Sequence, residues 1–390
     1  MRQKYIQRKS RLLTRAILCL LATLIVLLTF TLRPHFGQTT FNYGDALQKA
    51  IWFFDANKCG PPAATDNVFS WRGACHTSDG SAANPARDLT GGFHDAGDHV
   101  KFGLPQGFSA SILGWSLYEY RAEFDSAGMT AKTLRTLKYY TDYFLRSHPN
   151  ATTFYYQVGD GNADHGYWGS PELQTGSRPL FVATPSSPAV DILGQHAAAL
   201  ALMSINYRST DAAYANQCLT AARELFNMAR TSVATCSGAG CRGQDGGDFY
   251  NSTSHFDDLA WGAIWLYIAT GEQQFLDPID GWISQPNDGN DNPYQKRWTM
   301  AWDDMTLANL LKMHQLTGRT KYRDGLRWNL VWYRDTLQKT PAGLPWLDQW
   351  GVLRYASAEA GLGFLAYKLF GYDDFFSRGS FIVNYVLGSN

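Results

Sequence analysis

The stretch TAKTLRTLKYYTDYFLRSH, Thr130 to His148, decides how the rest of the chain is read. Leu134, Leu137, Phe144 and Leu145, with tyrosines between them, recur three and four residues apart. That spacing makes one face of a helix apolar and leaves lysine, arginine and threonine on the other. The same period predicts helices at 43–58, 109–124, 189–207, 211–230, 256–270, 302–317, 319–338, 355–370 and 373–387, with a short one near 272–279. No alternation is long enough to suggest a sheet. Turns such as TGRTK are short, whereas 59–108, 149–188 and 280–300 are long and rich in Gly, Pro, Asp and aromatics. Long loops in a compact helical domain are usually functional. Antiparallel helix pairs with short turns on one side and long loops on the other predict an all-α chain folded as an α/α barrel. Such a barrel closes on an even number of helices, and eleven leaves one missing. An apolar face is therefore expected to be unpartnered at a seam between the first helix, 43–58, and the last, 373–387.

Charge is balanced over the whole chain, 34 basic against 34 acidic residues, but unevenly placed. Seven of the basic residues and none of the acidic ones precede residue 41, so the remainder is mildly acidic. Nucleic acid is thereby disfavoured as a partner. The basic tail leads into AILCLLATLIVLLTFTL, Ala16 to Leu32, which reads as an export element within a separate segment, 1–40. It is either a cleaved signal peptide or a retained membrane anchor, and in both cases 41–390 lies outside the cytoplasm, secreted or membrane-anchored. Export permits disulfides: Cys236 and Cys241 bracket SGAG, Cys59 and Cys75 flank a Pro/Gly/Ser-rich stretch, and Cys218 is then a free core thiol. No cysteine has metal-site spacing with histidines, which argues against zinc.

The loops carry the chemistry. GGFHDAGDHVKF, Gly91 to Phe102, sets Asp95 and Asp98 three residues apart. By themselves two aspartates in a Gly-containing turn are most simply turn and cap residues. Around them, however, lie YYQVGDGNADHGYW, GGDFYNS and WLDQWGVLRY, with their histidine, arginine and aromatic rings. Flat rings stack on the apolar face of a pyranose, and Asp, His and Arg fix hydroxyls, so this set points to sugar chemistry. Trp261 and Trp265, at helical spacing, are assigned to the core.

FNYGDALQKAIWFF, WRG, DLTGGFHDAGDHVKF, VGDGNADHGYWGSPE, WDD and LPWLDQWGVLRYA, in this order from Phe41 onward, resemble glycoside hydrolase family 9, the inverting endoglucanases and related cellulases. The resemblance implies an (α/α)6 barrel with an open cleft and endo-β-1,4-glucanase activity on glucan polysaccharide or oligosaccharide. It makes Asp98 the general base and Asp95 the residue that holds the same water. His165, Trp168, Phe249, Tyr250, Trp302, Trp350 and Arg354 match substrate-binding positions. No cofactor is required, although some members hold structural calcium at the positions of Asp257 and Asp258, which otherwise cap the helix that follows. The family's acid is a late glutamate, and none of Glu119, Glu123, Glu172, Glu224, Glu272 and Glu359 matches its motif. The missing acid and the missing helix are thus one missing piece, and 41–390 is expected to be a C-terminally incomplete catalytic domain, inactive as it stands. The alternative is a paralogue that binds glucan without cutting it.

Overall fold

Burial sorts the ten long helices among the described residues into two kinds. The structure, a computed structural model, describes residues 41–244, 247, 249–285 and 292–389. The long helices are α1 (Tyr43–Ala56), α2 (Gly103–Glu119), α3 (Thr130–Ser147), α4 (Val190–Tyr207), α5 (Ala212–Ser232), α6 (Phe256–Thr270), α7 (Thr306–Thr317), α8 (Thr320–Asp335), α9 (Val352–Phe370) and α10 (Asp373–Val386). α4 is buried without a break from Val190 to Ser204, α6 from Asp257 to Leu266 and α7 from Thr306 to Met313. A helix covered all round must stand inside a ring of others. α3, α5 and α8 bury only a stripe, as the leucine and tyrosine spacing in α3 requires. Helices therefore alternate along the chain. α2, α4, α6, α7 and α9 form an inner lining; α1, α3, α5, α8 and α10 stand outside, with the short helices Gln273–Leu276 and Ile279–Ile283 in the sixth outer position against α6. This is an (α/α)6 barrel in which the described residues supply five inner helices.

The connections explain where a site can form. Each inner helix follows a long loop and precedes a short turn, so the long loops gather at the N-terminal ends of the inner helices. α6, α7 and α9 stop on Gly271, Gly318 and Gly371, which sit at φ 73°, 67° and 71°, where a side chain would be strained. At the centre, Trp115, Trp261 and Trp265 pack edge to face, and the Trp261 indole donates to Ser111 Oγ at 3.1 Å. The assignment of Trp261 and Trp265 to the core holds.

Several boundaries differ from those the period predicts. α2 starts at Gly103 rather than 109, because Pro105 lies in its first turn, where its missing N–H costs nothing. The helix expected at 109–124 breaks at Tyr120, and Arg121–Ser126 is a separate turn. α7 begins at Thr306, not 302, because the Asp304 carboxylate accepts the Thr306 N–H at 2.9 Å and closes the entry turn. The 149–188 loop contains an antiparallel pair, β1 (Phe154–Val158) and β2 (Leu180–Ala183), too short to show an alternation.

The seam also lies elsewhere. α1 and α10 meet, with Tyr43 Oη donating to Asn384 Oδ1 at 2.5 Å. The open space is a groove of about 1020 Å³ between α2 and α9, walled by Phe108, Ile112, Phe364, Leu365 and Phe376. Since helices alternate outside and inside, the position between α2 and α9 that no described helix fills is an inner one. Lys368 of α9 closes the far end, donating to the Glu119 carbonyl, with its ammonium 4.2 Å from the centre of the Tyr120 ring.

Candidate active site and metal centre

The loop that carries Asp95 and Asp98 is held from below by a buried cation. Lys101 is fully buried and ion-pairs with Asp79 at 2.7 Å, while its ammonium also donates to the Leu89 and Gly91 carbonyls at 2.5 and 3.2 Å. Arg178 grips the same Asp79 at 2.7 Å. The backbone of Lys101 bonds Val158 of β1, and His94 N–H donates to Asn57 O at 2.8 Å. Asp95 N–H reaches Val100 O at 3.1 Å, so the segment between them stands up as a small closed turn.

On that turn Asp98 accepts the Val100 N–H at 2.8 Å, and its other oxygen is 3.8 Å from His165 Nε2. Burial, then the charges of Asp95 and Asp164, push the Asp98 carboxyl up to about 7, against the pull of Val100 and His165. Asp95 is raised too, by burial, although the Tyr250 hydroxyl donates to it. Tyr250 packs against Trp302 at 4.9 Å, and the His165 ring stacks on Phe249 at 4.3 Å and 8°. Asp95, Asp98, His165, Phe249, Tyr250 and Trp302 are thus one connected group. Arg354 lies close enough to act on the Tyr250 hydroxyl and spends one guanidinium nitrogen on Tyr355 Oη at 2.5 Å. Trp168 and Trp350 stand in solvent, 93% and 76% exposed, on the loops before α4 and α9.

Neither glutamate near these segments resembles a proton donor to the pair. Burial disfavours the Glu172 charge, but hydrogen bonds from Gly73 and Arg72 outweigh it and hold the carboxyl below the usual range. Glu359 is pushed by burial up to about 8, yet it faces Tyr333 and Arg378 in the packing between α8, α9 and α10.

An α/α barrel with a paired carboxylate on a rigid turn, among aromatic rings at one open end, is built like a carbohydrate-cleaving enzyme. The chain belongs to glycosyl hydrolase family 9, whose family model matches residues 43–390. It is 38% identical to Endoglucanase A of Bacillus pumilus over 342 residues, 84% of this chain and 50% of that protein. It is 37% identical to an endoglucanase of Dictyostelium discoideum, over 90% of this chain and 49% of that protein. The solved cellulase Cel9M of C. cellulolyticum superposes with a TM-score of 0.84 at 52% identity, covering 90% of this chain and 79% of that one; it has also been solved with cellobiose. The chain spans about half the length of the Bacillus pumilus and Dictyostelium discoideum relatives, and 34% of Endoglucanase B of Cellulomonas fimi.

The expectation against zinc rests on spacing along the sequence, and the fold brings together residues that the sequence keeps apart. Cys59, Cys75, His76 and His94 are all buried, and one donor atom from each lies within 4.8 Å of the others. Cys59 Sγ is 3.5 Å from His76 Nδ1, which is 3.0 Å from His94 Nε2. Two thiols and two imidazoles converging in this way fit tetrahedral zinc. His76 Nε2 bonds Gln174 Oε1 at 2.8 Å, the outer partner a ligating histidine needs. His76 is also the one non-glycine among the described residues at positive φ, 47°. Cys59 and Cys75 are free thiols, Cys236 and Cys241 form the disulfide, and Cys218 is a buried free thiol.

Asp257 and Asp258 do not cap their own helix. Asp257 accepts the Met305 N–H at 2.7 Å, tying α6 to the start of α7, and Asp258 accepts from Gln195 of α4 at 2.8 Å. Asp257 Oδ1 and Asp258 Oδ2 are buried without a hydrogen-bond partner. Burial together with Asp304 raises Asp257 to about 7, and burial together with Asp257 and Asp191 raises Asp258 well above the usual carboxylate range. Open carboxylate oxygens suit a hard cation, but Asp304 beside them is already paired with Lys296 at 2.7 Å, and among the described residues Asp257 and Asp258 belong to no group of three or more converging ligand side chains.

Proposed function

We propose that residues 41–390 carry the water-activating half of an inverting endo-β-1,4-glucanase. The observation that bears most weight is the buried Asp98 carboxyl, raised to about 7 beside an Asp95 that Tyr250 holds in place. In this reading Asp98 takes a proton from a water as that water attacks the anomeric carbon from the face opposite the leaving oxygen. Asp95 accepts the water's second hydrogen, and its bond from Tyr250 keeps it aimed. The rings of Trp302, Trp168 and Trp350 carry pyranose faces, and His165 and Arg354 bind hydroxyls. That Cel9M was solved with cellobiose, and other neighbours with cellotriose and cellotetraose, supports a cello-oligosaccharide ligand.

The reading assigns no general acid among the described residues. Bond cleavage with a poor leaving group is then slow, whereas a substrate whose leaving group needs no proton bypasses the defect. The test is hydrolysis of 2,4-dinitrophenyl β-cellobioside beside reducing-sugar release from carboxymethyl cellulose. Turnover of the first, abolished by Asp98→Asn, with none of the second, is the expected result. No turnover of either, with cello-oligosaccharide still bound, would establish the non-cutting glucan binder instead.

Zinc at Cys59, Cys75, His76 and His94 and calcium at Asp257 and Asp258 belong to the same proposal as structural ions. The zinc ligands flank the catalytic turn through His94, next to Asp95. Export is supported by the Cys236–Cys241 disulfide. Residues 16–32 lie outside the described residues, and among the latter no helix is long and apolar enough to cross a membrane.

A further inference from the structure

A second cavity opens beside the catalytic turn. It has a volume of about 620 Å³, and Asp98, His94, His99 and Gly97 line one part of it. Two apolar side chains from distant segments line another: Trp71, 67% exposed, and Leu173, 75% exposed. Large apolar groups standing so far into water ask for an explanation when they share a concave site with a functional carboxylate.

Their supports are built. Arg72 is buried and its Nε donates to Glu172 Oε1 at 2.9 Å, while its Nη2 donates to Lys58 O at 3.0 Å. The same Glu172 oxygen accepts the Gly73 N–H at 2.9 Å. A side chain at residue 73 would meet Glu172 Cγ at 2.9 Å, so only glycine lets the two segments close this far. Glu172 therefore ties the Trp71 loop to the 3-10 turn Pro171–Leu173, which carries the other apolar side chain. Phe69 backs the Trp71 ring at 5.3 Å and 30°. The indole is thereby held in place and still mostly open to solvent.

Tyr250 and Trp302 approach the carboxylate pair through Asp95, whereas Trp71 and Leu173 share their cavity with Asp98. A polysaccharide crossing the pair needs an apolar surface at both approaches. We infer that Trp71, with Leu173 facing the same cavity, is a pyranose-binding platform of the glucan cleft, and that Arg72 and Glu172 are the strut that positions it. The inference rests on the proposed glucan ligand and names a part of the cleft that the proposal does not use.

The test is titration calorimetry of the 390-residue protein with cellobiose, cellotetraose and cellohexaose, using the wild type, Trp71→Ala, Trp71→Phe and Trp350→Ala. Trp71→Ala should bind cellohexaose about 10-fold more weakly, equivalent to about 1.4 kcal/mol, with an unchanged melting temperature because the ring is exposed. Trp71→Phe should recover most of the loss. Wild-type affinity for all three sugars in Trp71→Ala, while Trp350→Ala binds more weakly, would overturn this inference and leave the glucan reading standing. A wild type that binds none of the three would overturn both.

Discussion

Replacing Asp98 by asparagine should make the protein more stable and less active, and the gain should depend on pH. The folded state raises the Asp98 carboxyl from 3.8 to about 7, through burial and then through Asp95 and Asp164. Three pH units correspond to about 4 kcal/mol of disfavour for the charged form. The sign follows from linkage. Below pH 4 the carboxyl is neutral whether the chain is folded or not, and there is no penalty. Between pH 4 and 7 the folded state holds a proton the unfolded state has lost, so stability falls as pH rises, and above 7 the whole penalty is present. Asparagine keeps the acceptor that Val100 N–H uses and removes the charge. Water and His165 at the cleft screen part of the effect, so a gain of about 2 kcal/mol is expected at pH 8, and almost none at pH 4. For a folded unit of this length, with an unfolding entropy of about 0.7 kcal/mol/K, that is a rise of about 3 °C in Tm. The assay is thermal or urea unfolding of both proteins from pH 4 to 8, followed by tryptophan fluorescence. Both proteins carry the same Cys/His cluster, so metal effects cancel in the difference. A difference that does not vary with pH, or an Asp98→Asn protein less stable at pH 8, would show that the carboxylate is not strained by its surroundings.

Three further outcomes are expected. Asp98→Asn should reduce turnover of 2,4-dinitrophenyl β-cellobioside by about 10²–10⁴, the range of a general-base contribution; near-wild-type turnover would remove Asp98 from the mechanism. Lys101→Met should cost about 3 kcal/mol in urea unfolding, the low end for breaking a buried pair, because Arg178 still holds Asp79; a loss under 1 kcal/mol would mean the cation is not anchoring the loop. The purified protein should contain close to one zinc per chain by mass spectrometry, and Cys59→Ser or chelation should lower both zinc content and Tm; wild type without zinc, equally stable in chelator, would leave the cluster a set of ordinary buried thiols and imidazoles.

Helices were legible wherever an apolar stripe repeated, as in α3, and the alternation of inner with outer helices follows once burial is known. What the pattern could not show was which positions are inner: α4 and α6 are buried all round, their few polar residues included, so no single apolar stripe in their sequence points to a partner. That is why the seam was expected between α1 and α10 when the open groove lies between α2 and α9. The start of α2 was hidden by Gly103 and Pro105, residues that read as loop from a distance and sit comfortably in a first turn. At the site, the DAGDH pair and its aromatic neighbours could be named because they cluster in motifs. The Cys/His cluster could not, since Cys59, Cys75–His76 and His94 come from three separate stretches that only the folded loop brings together; the adjacent Cys75–His76 was the available clue. Trp71 stands in the WRG motif, but its sequence suggests no role for the ring, because one tryptophan in a loop looks like any other until its exposure is seen. Glu172 shows the reverse, a loop glutamate with the right composition whose two hydrogen bonds make it a fastening.

The groove between α2 and α9 bears on the width of the cleft. Four residues separate Asp98 from Gly103, the first of α2, and Trp350 and Arg354 sit at the start of α9. The paired carboxylates and the Trp350–Arg354 segment are therefore mounted on the two staves that face each other across the gap, clasped at their far ends by Lys368 on Glu119. With the outer helices also tied at Tyr43 and Asn384, the spread of the two staves at their open ends fixes how far apart those two groups of residues stand.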